Sequence, residues 1–254
     1  MISLTALVLT KNEEANIERT LRAIDWIDNV VIVDSFSSDR TVEIARASHP
    51  NVRILQREFD THATQWNFGL GQIETEWVIT LDADYELSPQ LTEEIQHLCP
   101  PAEIVGYEAQ FEYRINGRPL RASVYPPRIV QFRTRQCSYF DDGHTQRLRA
   151  VGKVGNFRGK IYHDDRKPFR RWLDAQKNYA ILEAAYLRSR SFNELSGPDK
   201  LRRTIFFAPP GIFFYTLFGR WLIFDGWRGW VYVLQRTIAE MLLSKELLLG
   251  RSRK

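Results

Sequence analysis

The chain has 254 residues, 44% hydrophobic and 26% charged, a balance that excludes intrinsic disorder and allows a large folded core. Cys99 and Cys137 form no C-x-x-C pair, which excludes a disulfide framework or a cysteine-rich zinc site and fits a reducing cytoplasm. The net charge of +4 is unevenly divided: residues 1–100 hold 7 Lys/Arg and 17 Asp/Glu, a balance of −10, and residues 101–254 hold 28 and 14, a balance of +14.

An acidic first part suits a bound cation, and a basic second part suits phosphates, anionic lipid headgroups or acidic glycans. No recognition-helix or RNA-binding signature is visible, so nucleic acid is not an expected partner.

The opening M-I-S-L-T-A-L lacks the basic start and small-residue cleavage site of a secretory signal, and residues 4–9 read as a first strand. Residues 16–24 place Ile17, Leu21 and Ile24 at helical spacing. Residues 30–33 are a second buried strand ending in Asp34, and Ser38 is the expected N-cap of a helix running to about residue 47. Residues 52–55 predict a third strand, 63–73 a helix, and W-V-I-T-L at 77–81 a fourth strand. Ser88-Pro89 starts another helix, with proline at its first position. This alternation predicts a parallel, doubly wound α/β sheet with helices on both faces. Ligands of such sheets bind beyond the carboxyl ends of the strands, where Thr10, Asp34, Asp82 and Asp84 all fall.

The fourth strand ends in D-A-D. If the chain stays extended there, Asp82 and Asp84 share a face about 6.6 Å apart and repel by about 2.5 kcal/mol at an effective dielectric near 20. A hard divalent cation, Mg²⁺ or Mn²⁺, would compensate them and keep positions for water and substrate phosphates.

Beyond residue 104 the texture changes. Residues 105–114 and 124–133 alternate like strands of an antiparallel or mixed continuation, with R-I-N-G-R-P as a turn between them. Two polar clusters follow, Y-F-D-D-G-H-T-Q at 139–146 and I-Y-H-D-D-R-K at 161–167, and then a helix from 169 to about 188. His163 is a candidate third metal ligand or diphosphate contact, and Arg166 and Lys167 are candidate pyrophosphate ligands. Residues 205–224 carry one charge, Arg220, but P-P-G at 209–211 argues against a continuous membrane-spanning helix. With Trp221, Trp227, Trp230 and flanking arginines, the stretch suits an interfacial, peripheral membrane contact. Packing onto the catalytic domain or a second subunit stays open, and so does a homo-oligomer.

Four motifs taken in order, L-T-K-N-E-E at 9–14, V-D-S-F-S-S-D-R-T at 33–41, Q-W-N at 65–67 and L-D-A-D at 81–84, resemble those of family-two glycosyltransferases with the GT-A fold. The likeness is greatest to bacterial enzymes of cell-surface polysaccharide and lipopolysaccharide-core synthesis, and it covers residues 3–190. It implies a GT-A catalytic domain at 1–190, with a nucleotide-binding half at 1–100 and an acceptor half at 101–190, followed by an aromatic-rich helical region at 191–254. It implies metal-dependent, inverting transfer from a nucleotide-diphosphate sugar to a glycan or lipid-linked acceptor, at the cytoplasmic face of the inner membrane. By the same resemblance Asp34 contacts the base, and Thr10, Asn12, Glu13, Ser35 and Asn67 line the nucleotide-sugar pocket. Asp84 is then the main metal ligand and Asp82 faces the ribose or bound water. The general base falls in 139–146. Thr145 stands where relatives often have an acidic residue, which leaves Asp142 as first choice with Asp141 and His144 behind it. A polyprenyl-phosphate transferase and a non-catalytic peripheral membrane or anionic-glycan binding protein remain as alternatives.

Overall fold

The computed structural model describes residues 2–142 and 145–250. Four short strands begin the central sheet: β1 (Leu4–Thr10), β2 (Asn29–Asp34), β3 (Val52–Gln56) and β4 (Trp77–Asp82). They pair in parallel in the order β3-β2-β1-β4. The connecting helices are α1 (Ile17–Arg22), α2 (Thr41–Ser48) and α3 (His62–Leu70).

Side chains alternate across a strand, so β1 feeds two cores. Leu4, Ala6 and Val8 pack with Ile17, Leu21, Ile32 and Ile79, while Leu7 packs with Val33, Trp66, Leu70 and Val78. A Cβ on Gly69 would lie 2.6 Å from Leu7 Cδ1, so glycine is what lets α3 approach β1 so closely. Register sets Thr10 opposite Asp34 and Leu9 opposite Asp82, which brings three strand ends to one rim.

The rest of the sheet is mixed, as expected from residue 104 onward. It is built from β5 (Tyr85–Leu87), β6 (Ile104–Ile115), β7 (Arg118–Pro119) and β8 (Arg128–Arg133). Two later strands form a separate pair, β9 (Cys137–Asp142) with β10 (Thr145–Ala150), and β11 (Lys153–His163) returns to the main sheet. The order continues β4-β8-β6-β11-β5, with β8 antiparallel to β4 and β6, β11 parallel to β6, and β5 antiparallel to β11. The turn between β6 and β7 is made by Asn116 and Gly117 at φ 50° and 75°. Helix α4 (Pro89–Gln96) begins as expected, with Ser88 Oγ accepting from the Leu91 amide at 3.2 Å.

Helix α2 starts differently from the expectation. Ser38 is not its cap; Asp39 Oδ1 accepts from the Thr41 amide at 3.0 Å and holds the first turn.

Packing divides the chain into two compact units. One comprises residues up to Arg118, Tyr125–Asp141 and Gln146–Lys167; the other comprises Pro119–Val124, Asp142 and the chain from Pro168 onward. The second unit holds α5 (Phe169–Ser189), α6 (Gly197–Arg203), α7 (Ala208–Phe214) and α8 (Gly226–Leu249). Ala180, Ala184 and Leu187 of α5 pack on Leu243 and Leu247 of α8.

No continuous helix runs through residues 205–224, as P-P-G led one to expect: residues 204–207 are turn and bend, and P-P-G opens the helix that follows. It lies in the first turn of α7, where proline lacks only an amide that no helix bond needs. A second interruption comes at Trp221 and Gly226, both at φ 59°. Among the described residues no helix is long and apolar enough to cross a membrane.

Candidate functional site

At the β1/β2 rim two loops are tied together by short-range polar bonds. Thr10 Oγ1 donates to Asp34 Oδ1 at 2.8 Å, and the Ser37 amide donates to Asp34 Oδ2 at 2.9 Å. The Ser37 hydroxyl donates to Asp34 Oδ1 at 2.5 Å, so three donors hold a carboxylate that is 0% exposed. Asp34 thus shapes the rim from beneath rather than facing outward. Ser35 Oγ accepts from Gln65 Nε2 at 2.8 Å. Lys11 Nζ caps the Ser35 and Phe36 carbonyls, and Asn12 Oδ1 accepts from the Ser38 amide at 2.7 Å. Asn12 and Phe36 both adopt left-handed backbone, at φ 55° and 57°; asparagine takes this region readily, but for phenylalanine it is uncommon and such residues cluster at ligand-binding loops. Phe36 is also half exposed.

The D-A-D does not stay extended. The strand ends at Asp82, and Ala83 and Asp84 make a turn into β5. Asp84 is buried, with Oδ2 3.3 Å from His163 Nε2. Nearby, Lys167 Nζ donates to Glu13 Oε1 at 2.5 Å and lies 3.6 Å from Asp165 Oδ1. Asn16 Nδ2 reaches Glu13 Oε2 at 3.0 Å.

Burial works against the charge on Asp84, yet His163 and Lys167 outweigh it and lower the carboxyl to about 2. Burial also opposes the imidazolium of His163, but Asp84 and Asp82 raise it above its ordinary value. Lys167 is likewise raised, burial being more than offset by Asp84, Glu13 and Asp165. Glu13 goes the other way: burial, with help from Asp84, pushes it up to about 7 despite Lys167 and Asn16.

Asp84 and His163 form a pair rather than part of a trio. No group of three His, Cys, Asp or Glu that could hold a metal ion is found among the described residues. Besides His163, Asp82 acts electrostatically on Tyr85, Tyr125, Tyr139 and Arg128. The donor chemistry of the remaining pair still fits a hard cation. Their 3.3 Å separation is close to the roughly 3 Å between adjacent donors of an octahedral ion with bonds of about 2.1 Å. His163 Nδ1 is buried without a hydrogen-bond partner, and the rings of Tyr85, Tyr113 and Tyr125 hold the imidazole edge-on at 4.8–5.2 Å.

Other candidates have local partners. Arg166 Nη2 pairs with the buried Asp164 at 2.9 Å. Asn67 clamps β9, donating to the Tyr139 carbonyl at 2.8 Å and accepting its amide at 2.9 Å. Asp141 Oδ1 accepts from the Ala63 amide at 3.3 Å, at the start of α3. Asp142, in the helical unit, hydrogen-bonds Tyr186. His144 lies outside the described residues.

Sequence reasoning passed over Arg128 and Tyr125. The Arg128 guanidinium sits 4.8 Å from the Tyr125 ring, and Tyr125 shares a 2.5 Å hydrogen bond with Tyr85. The signal was present in Y-P-P-R at 125–128, an arginine opening a strand.

The chain is similar to known proteins in a consistent way. A glycosyltransferase of Rickettsia bellii is 34% identical over 96 residues, 37% of this chain, and the match spans about a third (32%) of that relative. The lipopolysaccharide core biosynthesis glycosyltransferase LpsC of Rhizobium meliloti is 29% identical over 171 residues, covering 64% of this chain and 63% of LpsC. Among solved structures, a mannosyltransferase of Pyrobaculum calidifontis in complex with GDP-Man and Mn²⁺ superposes with a TM-score of 0.50 at 15% identity, covering 99% of this chain and 86% of that one. The fold is of the GT-A type, a mostly parallel sheet with helices on both faces. Residues 5–158 match the family model for glycosyl transferase family 2, and the chain belongs to that family.

Proposed function

We propose that the protein is a metal-dependent, inverting glycosyltransferase. It moves a sugar from a nucleotide-diphosphate donor to a hydroxyl of a glycan or lipid-linked acceptor in cell-envelope polysaccharide synthesis. The observation that carries this reading is the buried cluster of Asp84, His163, Lys167 and Glu13 at the carboxyl end of β4, next in the sheet to the tied loops of β1 and β2. The likeness to LpsC, a lipopolysaccharide-core enzyme by name, supports the pathway class.

Asp84 and His163 would hold the divalent cation. When bound, the ion supplies Lewis-acid stabilisation of the diphosphate leaving group. Asp84 is kept ionised by its neighbours and is ready to ligate; His163 must release its proton to do so. Lys167 balances the acids of the cluster and brings a fixed positive charge to the diphosphate side. The loops carrying Thr10, Asn12 and Ser35 position the nucleoside, with Asp34 bracing them and the Phe36 ring offered to the base. An acceptor hydroxyl needs a general base. The resemblance puts it within residues 139–146, with Asp142 as first choice and Asp141 and His144 behind it.

A thermal-shift panel of nucleoside diphosphates and nucleotide sugars, with and without Mn²⁺, tests the reading. A ligand at about 100 times its Kd stabilises by about 2.7 kcal/mol, roughly 5–10 °C for a chain of this size. One base class should give that shift only when Mn²⁺ is present. A panel without any stabilising member, or equal shifts without metal, would refute it.

A further inference from the structure

The helical unit leaves large aromatic side chains in water where a folded protein normally hides them. Phe206, Phe207, Trp221 and Phe224 are 70%, 68%, 63% and 62% exposed. Ring contacts join Phe218, Phe214, Phe213 and Trp230 into one row at 5.3–6.3 Å. Trp221 stacks on Phe224 at 5.9 Å. Exposed apolar surface of this extent marks an interaction site.

Three observations say what covers it. Trp221 holds a left-handed backbone, φ 59°, although a tryptophan gains nothing from that conformation in the core and is largely exposed. Its ring stacks on Phe224, itself largely exposed, so the pair faces water. Second, arginines lie over the rings at the edge of the patch: Arg220 is 5.5 Å from the Tyr215 ring and Arg228 is 4.6 Å from that of Trp227. Residues 200–250 carry 7 Lys/Arg against 3 Asp/Glu, and of those acids Asp225 pairs with Arg121 and Glu240 with Arg202. Third, a groove of about 480 Å³ runs between the start of α7 and the end of α8. Apolar Ile205, Phe206, Pro209, Met241 and Leu248 line it, and among the described residues Lys245 is its one charged residue. An acyl chain fits that lining, and its anionic headgroup fits the lysine.

We propose that this face is a monotopic membrane-binding surface. It seats Trp221, Phe224, Trp227 and the α7 phenylalanines at the headgroup level of an anionic phospholipid bilayer, with Lys245 and the arginines on the lipid phosphates. The surface is independent of the transfer reaction proposed above. It would place a lipid-linked acceptor within reach of a chain in which no described helix spans the bilayer.

Flotation of the full chain tests this, with vesicles of phosphatidylcholine alone and of phosphatidylcholine with a minority of phosphatidylglycerol. Binding should favour the anionic vesicles by about tenfold, weaken at high salt, and blue-shift the tryptophan emission. The double variant Trp221→Ser/Phe224→Ser should bind about tenfold more weakly at unchanged Tm. If it unfolds, Trp227→Ser alone carries the same expectation, since that side chain is also exposed. Absence of the wild type from floated anionic vesicles would overturn the proposal, as would equal binding to both compositions. So would a dimer in lipid-free solution that the variants convert to monomer, because the face would then belong to a second copy.

Discussion

Replacing Lys167 with methionine removes one charge from the buried cluster and keeps most of the side-chain volume. Glu13 then loses the ammonium that sits 2.5 Å from its carboxylate. In the wild type the Glu13 carboxyl is already raised to about 7, burial outweighing Lys167. A raised carboxyl binds a proton in the folded chain that the unfolded chain has released. Its stabilising contribution is therefore complete below about pH 4.5 and is lost as pH rises through the folded value. For the wild type that loss ends near pH 7. Without the ammonium the folded value climbs, and the loss continues at about 1.4 kcal/mol per pH unit, roughly 3–6 °C in Tm. Lys167 is held above its ordinary value and stays charged throughout pH 6–9, so it adds no slope of its own. Thermal melts of wild type and Lys167→Met at pH 6, 7, 8 and 9 should show a gap that widens above pH 7. A gap that is flat across this range would refute the coupling between the two residues.

Mn²⁺ affinity should rise with pH by about tenfold per unit until it passes the raised pKa of His163, because ligation displaces the imidazole proton; titration calorimetry in buffers of different ionisation enthalpy would count the proton released. Thr10→Val should destabilise by about 1–3 kcal/mol, since it strips one of three donors from the fully buried Asp34, and urea unfolding should show a lower midpoint at constant slope. Gly159→Ala should cost at least that much: a Cβ there would sit 2.3 Å from the Leu91 backbone nitrogen, and α4 would have to shift off β11. A wild-type urea midpoint for Gly159→Ala would contradict that packing.

The parallel half of the fold was legible because its signals are local. Runs such as N-V-V-I-V-D and W-V-I-T-L-D are short, apolar and β-branched, and only a buried strand uses them so compactly. The rim followed from strand ends alone. Less legible was anything decided by a partner far along the chain. Glu13 and Lys167 are 154 residues apart, and neither motif names the other. The turn at Ala83 was missed because spacing was read as if the strand continued; pairing of β5 with β11 sets the new direction. The two prolines at 209–210 correctly excluded a continuous span, but composition does not reveal that they would fall in a helix's first turn.

Binding of Mn²⁺ followed by electron paramagnetic resonance, in wild type and Asp84→Asn and with and without a nucleoside diphosphate, tests the cation site most directly. The wild type should bind the ion more tightly once the diphosphate is present, and Asp84→Asn should lose at least about tenfold in affinity together with that synergy. Equal Mn²⁺ binding by the two proteins, with the diphosphate indifferent to the ion, would contradict the account.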